Sequence, residues 1–342
     1  MDPLTHALLG ASLAHGAFGR RLPRRAWLVG AGAGLAPDLD FFIRSASDPL
    51  LNVELHRQFS HAFAFIPLGG LLAALPWLLG REGRAQWRVV LGASTLGYAS
   101  HGLLDACTNY GTELLWPFLD VRVAWHLVTT LGPPITLMLL LGLVVAVCWR
   151  RRWPAALGFL GCLGYFGLAL WQQERGLAAQ ATIAASRGHE IARAKLFPTV
   201  GNPLLWRSVY EAGGVLHTDR LRLGASPTFK PGSRVPLATE SSLPPASRAD
   251  PRILRDYRRF TRFSDGWVAR ASGQPEVLGD ARYSLSIERF EPIWGIRFHP
   301  ERTVPTEWVD RTRRNRVPVA MLWRELSGQD EAYRSLPVGP PG

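Results

Sequence analysis

His101 and Asp105 stand four residues apart in a strongly apolar run, so on a helix both side chains lie on one face about a turn apart. That spacing suits joint ligation of one cation, or a couple in which the acid orients the imidazole. A buried hydrogen-bonded pair holding helices together is the structural alternative. Asp38 and Asp40 follow Pro37 and flank Leu39; they point the same way if the segment is extended and diverge if it is helical. Two acids beside the Phe41-Phe42-Ile43 run are costly without a cation or other partner, and a helix cap accounts for one of them better than for both. His56 and His61 are five apart, a rotation of roughly 140° on a regular helix, unlike the HExxH pair of metalloproteases. They converge if His56 sits on a loop and His61 in the first turn of the next helix. Arg57, between them, is suited to a phosphate or carboxylate. His6 reads as a satisfied polar residue or, by its company, a ligand; His126, next to Trp125, reads as an interfacial anchor or a ligand; and His15 lies apart. Imidazoles and carboxylates are what a protein uses to hold a catalytic divalent cation, and ionisable groups in or near a membrane are usually functional.

These motifs sit at the edges of apolar segments. Residues 62–80, 87–107, 125–149 and 153–171 approach or exceed the ~20 residues that cross a bilayer. Residues 4–18 and 26–43 are shorter or more broken and read as partial, re-entrant or tilted helices. The expectation is an α-helical membrane domain of about four to six apolar helices over residues 1–171. Met1-Asp2-Pro3 opens without a cationic leader, so a cleaved secretion signal is not expected. Arginine-rich loops stay cytoplasmic, and three such loops exist: Arg20, Arg21, Arg24 and Arg25; then Arg81, Arg84 and Arg88; then Arg150 to Arg152. If six segments cross or nearly cross, all three loops lie inside together. Every candidate ligand then falls on the opposite, periplasmic face, together with residues 172–342.

Those last residues carry most of the arginine and many prolines. They predict a small extramembrane α+β domain, rich in antiparallel strands, over 172–342. A polar helix over 172–195 continues from the last span, alternating strands begin near Trp206–Tyr210, Gly214–His217 and Tyr283–Ile287, and 224–251 reads as a long Pro/Ser/Gly-rich loop. His189, His217 and His299 read as isolated. The formal charge of +12 comes without a nucleic-acid motif, so a solvated surface or anionic lipid headgroups are the expected neighbours of the arginines, not nucleic acid. Cys107, Cys148 and Cys162 lie in or beside apolar segments and form neither a disulfide framework nor a zinc motif.

The stretches MDPLTHALLG, APDLDFF, HRQFSHAF, SHGLLDACTNYGTELLWPF and FPTVGNPLLWR resemble the YdjM-like family of bacterial inner-membrane proteins, described as metal-dependent hydrolases. The resemblance covers residues 1–130 well and about 196–210 more weakly. It implies a metal site built from His56, His61, His101 and Asp105 with Asp38 and Asp40, and with His6 beside them. A distant likeness to zinc-dependent phospholipase C enzymes, which also use a His-x-x-x-Asp pair, implies phosphoester hydrolysis. The chain departs from the pattern at 127–134, LVTTLGPP, where an aspartate before a proline is expected.

The function expected is therefore hydrolysis of a lipid or lipid-linked phosphoester at the inner membrane. A divalent cation, zinc, activates a water there, Arg57 stabilises phosphoryl charge, and Asp38 or Asp40 serves as base. Two rivals come from other classes. A transporter would spread ionisable residues through the depth of the bilayer, and a non-catalytic envelope protein would use the metal only for stability.

Overall fold

The computed structural model describes residues 1–22, 25–199, 201–284, 286, 289–311, 319–327 and 329–337. The chain forms two compact units, one of Met1–Ile43, Glu54–Leu170 and Val200–Asn202, the other of Arg44–Val53, Trp171–Thr199 and Pro203–Gly342.

The first unit is helical. Helix α1 (Pro3–Phe18) starts at Asp2, whose side chain accepts from the Thr5 amide, with proline in the first turn, where its missing N–H costs nothing. Helix α2 (Ala26–Leu35) runs into a 3-10 turn, Ala36–Phe42, that carries both acids of the APDLDFF motif. A short α3 (Leu51–Leu55) and two 3-10 turns, Phe59–His61 and Phe63–Phe65, lead to α4 (Ile66–Leu78) and α5 (Arg81–Ala85). Helix α6 (Trp87–Ala106) carries the His101/Asp105 pair, and α7 (Pro133–Trp149) and the long α8 (Trp153–Ser186) follow.

Glycines let α1, α2 and α6 approach backbone to backbone, the small-residue packing of membrane helices. A Cβ on Gly34 would lie 2.7 Å from the His6 carbonyl, and one on Gly97 would lie 2.5 Å from the Gly30 carbonyl. Gly10 and Gly30 face each other closer still, and a Cβ on Gly102 would strike the His61 carbonyl. This contact brings His6, Gly34, His61 and His101 to one place.

Fewer helices can cross a bilayer than the apolar runs predict. Among the described residues one is long and apolar enough, Trp153–Ser186; a second is added if Leu51–His61 and Phe63–Leu78, bent by 59°, count as one span, and Pro133–Trp149 is a shorter apolar helix. The reasons are local. Ala62 is extended and Phe63–Phe65 is 3-10, so α4 begins only at Ile66. Residues 125–132 are not helical, and the paired prolines at 133 and 134 start α7. Helix α6 has the length but spends positions on Arg88, Ser94, Thr95, Ser100, His101 and Asp105. Exposed leucines still cover α4 (Leu71, Leu72, Leu75), α7 (Leu137, Leu141) and α8 (Leu157, Leu160, Leu163), as surfaces facing lipid require.

In the second unit, β1 (Arg193–Pro198), β2 (Leu205–Ala212), β3 (Val215–Leu223) and β4 (Pro227–Pro236) form an antiparallel sheet. The short α9 (Pro245–Ala249) and α10 (Pro251–Phe263) precede a second antiparallel sheet of β5 (Val268–Ala271), β6 (Gln274–Asp280), β7 (Trp294–Phe298) and β8 (Thr306–Asp310). Helix α11 (Val319–Ser327) leads to β9 (Arg334–Ser335), which closes the first sheet beside β4. One face of the first sheet packs Trp206, Leu196 and Leu221 on Ala179 and Ile183 of α8. The other buries Phe197, Val209 and Leu216 against Trp267, Ala269 and Phe290.

Three local expectations change here. The polar helix ends at Ser186, and β1 takes Arg193–Pro198. The expected loop 224–251 contains β4, whose Pro231 is tolerated because the register shifts between His217 and Asp219 opposite it. Tyr283–Ile287 is not a strand in its described part: Ser284 makes an isolated bridge to Pro292, and Leu285 and Ile287 lie outside the described residues. The segment Arg44–Val53 is held in this unit by Arg259, both of whose terminal nitrogens lie 2.9 Å from Asp48, while Asp48 accepts from the Leu50 amide at 3.1 Å and Leu50 is buried.

Candidate metal centre

Helix α6 presents His101 and Asp105 on one face, as their spacing requires, and both are fully buried. The His101 Nδ1 lies 2.6 Å from the Gly34 carbonyl, which can only accept, so Nδ1 carries the proton and Nε2 keeps its lone pair. His61 is fixed in the same tautomer. Ser60 Oγ donates to Asp40 at 2.5 Å, leaving His61 Nδ1, 2.9 Å from that hydroxyl and 3.3 Å from Asp40 Oδ2, to donate. Both imidazoles thus donate from Nδ1 and turn Nε2 inward, the arrangement that second-shell partners impose on metal ligands.

The inward atoms meet. His61 Nε2 lies 3.3 Å from Asp105 Oδ2 and 3.7 Å from Asp38 Oδ1; His101 Nε2 lies 3.4 Å from Asp38 Oδ1 and 3.7 Å from Asp105 Oδ2. Zinc binds N and O ligands at about 2.0–2.1 Å, and a tetrahedron's edge is about 1.6 times that, or roughly 3.3 Å. His61 Nε2, His101 Nε2 and Asp105 Oδ2 are buried and make no hydrogen bond, which costs free energy unless something else satisfies them. Asp38, His61, His101 and Asp105 therefore form a cluster able to hold a metal ion. Asp38, a quarter exposed against none for the other three, is the open side.

Asp105 is the hub of the charge balance. Its Oδ1 receives the Met1 α-amino group and lies 3.0 Å from His6 Nε2. Arg57 Nε is 2.9 Å from Oδ2 but is not aligned as a hydrogen bond, so the oxygen keeps a lone pair. Arg57 adopts a left-handed backbone with φ 67°, donates to Thr108 at 2.9 Å and packs 4.7 Å over the Tyr110 ring. It is buried. This differs from the expectation of a guanidinium offered to a phosphoryl group: the guanidinium is buried against Asp105 and Thr108.

The remaining expected residues form a layer around the tetrad. His6 stacks on His101 with ring centroids 3.6 Å apart and touches Asp105, so it is placed to orient rather than to ligate. His56 does sit on the loop and His61 on the next 3-10 turn, with their rings 5.8 Å apart. His56 Nδ1 lies 2.7 Å from Asp40 Oδ1, and Asp40 also accepts from the Arg57 amide. Asp38, Asp40 and His56 make a second group of mutually close ligand atoms, sharing Asp38 with the first. His126, buried with φ 55°, and His15 join neither group.

Several contributors escaped the sequence reading. Ser60 was visible as the serine inside HRQFSH; Tyr98, which donates to the Ser60 carbonyl at 2.7 Å, lies one turn before His101 on α6. The Gly34 carbonyl and the Met1 amine are backbone groups that residue types do not announce. Beside the tetrad an apolar cleft of about 570 Å³ is lined by Leu35, Leu39, Phe65, Leu72 and Trp77, with Asp40 and Ser60 among its walls.

In the second unit His189 and His217 are not isolated, as expected, but neighbours with ring centroids 4.3 Å apart, because Tyr210, opposite His217 across β2 and β3, lies 2.9 Å from His189 Nδ1. His299 lies 2.8 Å from Glu307.

A comparison with protein families finds a match to the family described as YdjM inner membrane protein over residues 1–176. No curated protein and no solved structure matches the chain.

Proposed function

Because the chain belongs to the YdjM inner membrane protein family, we propose that it is a membrane-bound metal-dependent hydrolase acting on the phosphoester of a lipid or lipid-linked substrate. The observation that carries this reading is the set of three buried donor atoms without hydrogen bonds, completed by Asp38 at tetrahedral-edge spacing. Asp38, His61, His101 and Asp105 would hold one divalent cation, zinc by the donor set. Such a cation acidifies water toward neutral pH and neutralises phosphoryl charge.

The chain's own residues divide the other tasks. Asp40 holds His56 by its Nδ1 at 2.7 Å, the acid–imidazole pairing that fixes a tautomer for proton transfer, and His56 is the more exposed partner. His56 is thus the group we assign to move a proton, with Asp40 orienting it. Arg57, Met1 and His6 hold the Asp105 carboxylate charged and in place. The apolar cleft that meets Asp40 and Ser60 would take an acyl or isoprenoid chain, the feature that favours lipid over water-soluble substrates. By the arginine-rich loops, the site and the second unit would face the periplasm.

One observation favours a second reading. Four protein donors fill a tetrahedral shell, which is the habit of structural zinc sites. Two measurements separate the readings. Elemental analysis of purified protein should find close to one zinc per chain, lost in a folded H101A/D105A variant. His56→Gln should keep the zinc and abolish release of phosphate or headgroup from a phospholipid and lipid-phosphate panel. Zinc retained with no hydrolysis by the wild type would leave the structural role; a wild type that neither contains nor takes up metal would sink both.

A further inference from the structure

A second built cavity, of about 900 Å³, lies in the first unit away from the tetrad, where the end of α1 meets the turn between α7 and α8. Arg20 comes from the first arginine-rich loop, and Arg150, Arg151 and Arg152 come from the turn. His15 also lines it, buried to 4% exposure, with a ring Nδ1 that makes no hydrogen bond. Among the described residues no carboxylate lines this cavity. Glu82, the acid near the first loop, is engaged by Arg25 at 3.0 Å. Arg152 is fixed by donating to the Gly16 carbonyl at 3.0 Å, and Arg150 holds the turn in a left-handed conformation at φ 54°. Residues more than a hundred positions apart thus gather cationic donors around a common space with no carboxylate among its described lining residues.

The surroundings identify the acceptor. Trp27 and Trp153 line the same cavity, and Trp149 and Trp153 are exposed at the facing ends of α7 and α8. Indoles favour the headgroup level of a bilayer, and α7 and α8 carry exposed leucines beyond it. Basic pockets between membrane helices on the cytoplasmic side suit lipid phosphates, and arginine forks match phosphate oxygens. We propose that this cavity binds the phosphate headgroup of an anionic membrane lipid. Retention of the cytoplasmic loops would explain scattered arginines; it does not explain their convergence with a buried imidazole whose Nδ1 makes no hydrogen bond.

The test is native mass spectrometry of the full-length protein in detergent, titrated with cardiolipin, phosphatidylglycerol or phosphatidylcholine. The wild type should retain the anionic lipids about tenfold better than phosphatidylcholine, and R20Q/R151Q should lose most of that preference. R20K/R151K, with charge but no fork, should fall between. R81Q/R84Q, an equal charge loss in a loop outside the cavity, should behave as wild type. The proposal is overturned if the wild type shows no preference, if R81Q/R84Q weakens retention as much as R20Q/R151Q, or if millimolar inorganic phosphate displaces the lipid, which would make the ligand a free anion. Matching melting curves for all variants exclude unfolding as the cause of a loss.

Discussion

At the scale of single residues, the site is held by what each donor does with its second atom. Ser60 shows this: its hydroxyl gives its proton to Asp40 and accepts from His61, so one oxygen sets the tautomer of a ligand. Ser60→Ala should therefore lower metal affinity by about 10–100-fold without touching the metal, read by competition with a zinc-binding dye. His56→Gln should leave that affinity alone and reduce turnover by about 10²–10⁴-fold. Much at this scale was legible. The His101/Asp105 spacing, the HRQFSH motif and the paired acids of APDLDFF all enter the centre or its lining. What could not be read was which residues ligate and which orient, because that depends on where the Gly34 carbonyl and the Met1 amine fall, and backbone groups leave no trace in residue type.

At the scale of elements, the decisive contact is glycine against backbone. Gly34→Ala would place a methyl 2.7 Å from the His6 carbonyl, and the strain should destabilise the first unit by about 1–3 kcal/mol, seen as a lower melting temperature with less bound metal. A second element-level prediction concerns the Arg44–Val53 segment. Burial alone would raise the Asp48 carboxyl, but hydrogen bonds from Arg259 and the Leu50 amide outweigh it and hold the pKa below the usual carboxylate range. Its contribution is complete above the ordinary value of about 4 and is lost as pH falls through the lower folded value. Limited proteolysis within Arg44–Val53 should accelerate over that acid range in the wild type, and should be fast at every pH in R259Q. The elements that misled sequence reasoning did so for related causes. Hydropathy counted residues 62–65 and 125–132 into spans although neither is α-helical, and Pro/Ser/Gly composition hid β4, where a register shift tolerates proline.

At the scale of the whole molecule, the chain combines a helical unit of an inner-membrane family with a two-sheet unit. On the proposed topology, Arg81 to Arg88 would face the cytoplasm and residues 172–342 the periplasm. In a variant whose three cysteines are replaced, a membrane-impermeant maleimide should label a cysteine at exposed Ser241 in intact spheroplasts, and one at Arg84 only after lysis. The reverse pattern would invert the molecule and remove the periplasmic placement of the site. The Asp48–Arg259 ion pair also has a consequence in time. Its partners are 211 residues apart in the chain, a stretch that a ribosome at about 5–20 residues per second needs roughly 10–40 s to make. For that interval the tether between Asp40 and His56 has no anchor, although every ligand has been made once Asp105 is complete. Metal acquired then would enter a half-fastened centre. Chains truncated before Arg259 should thus take up zinc but release it faster than the full-length protein, which would make the Asp48–Arg259 pair a latch on that tether closed late in synthesis.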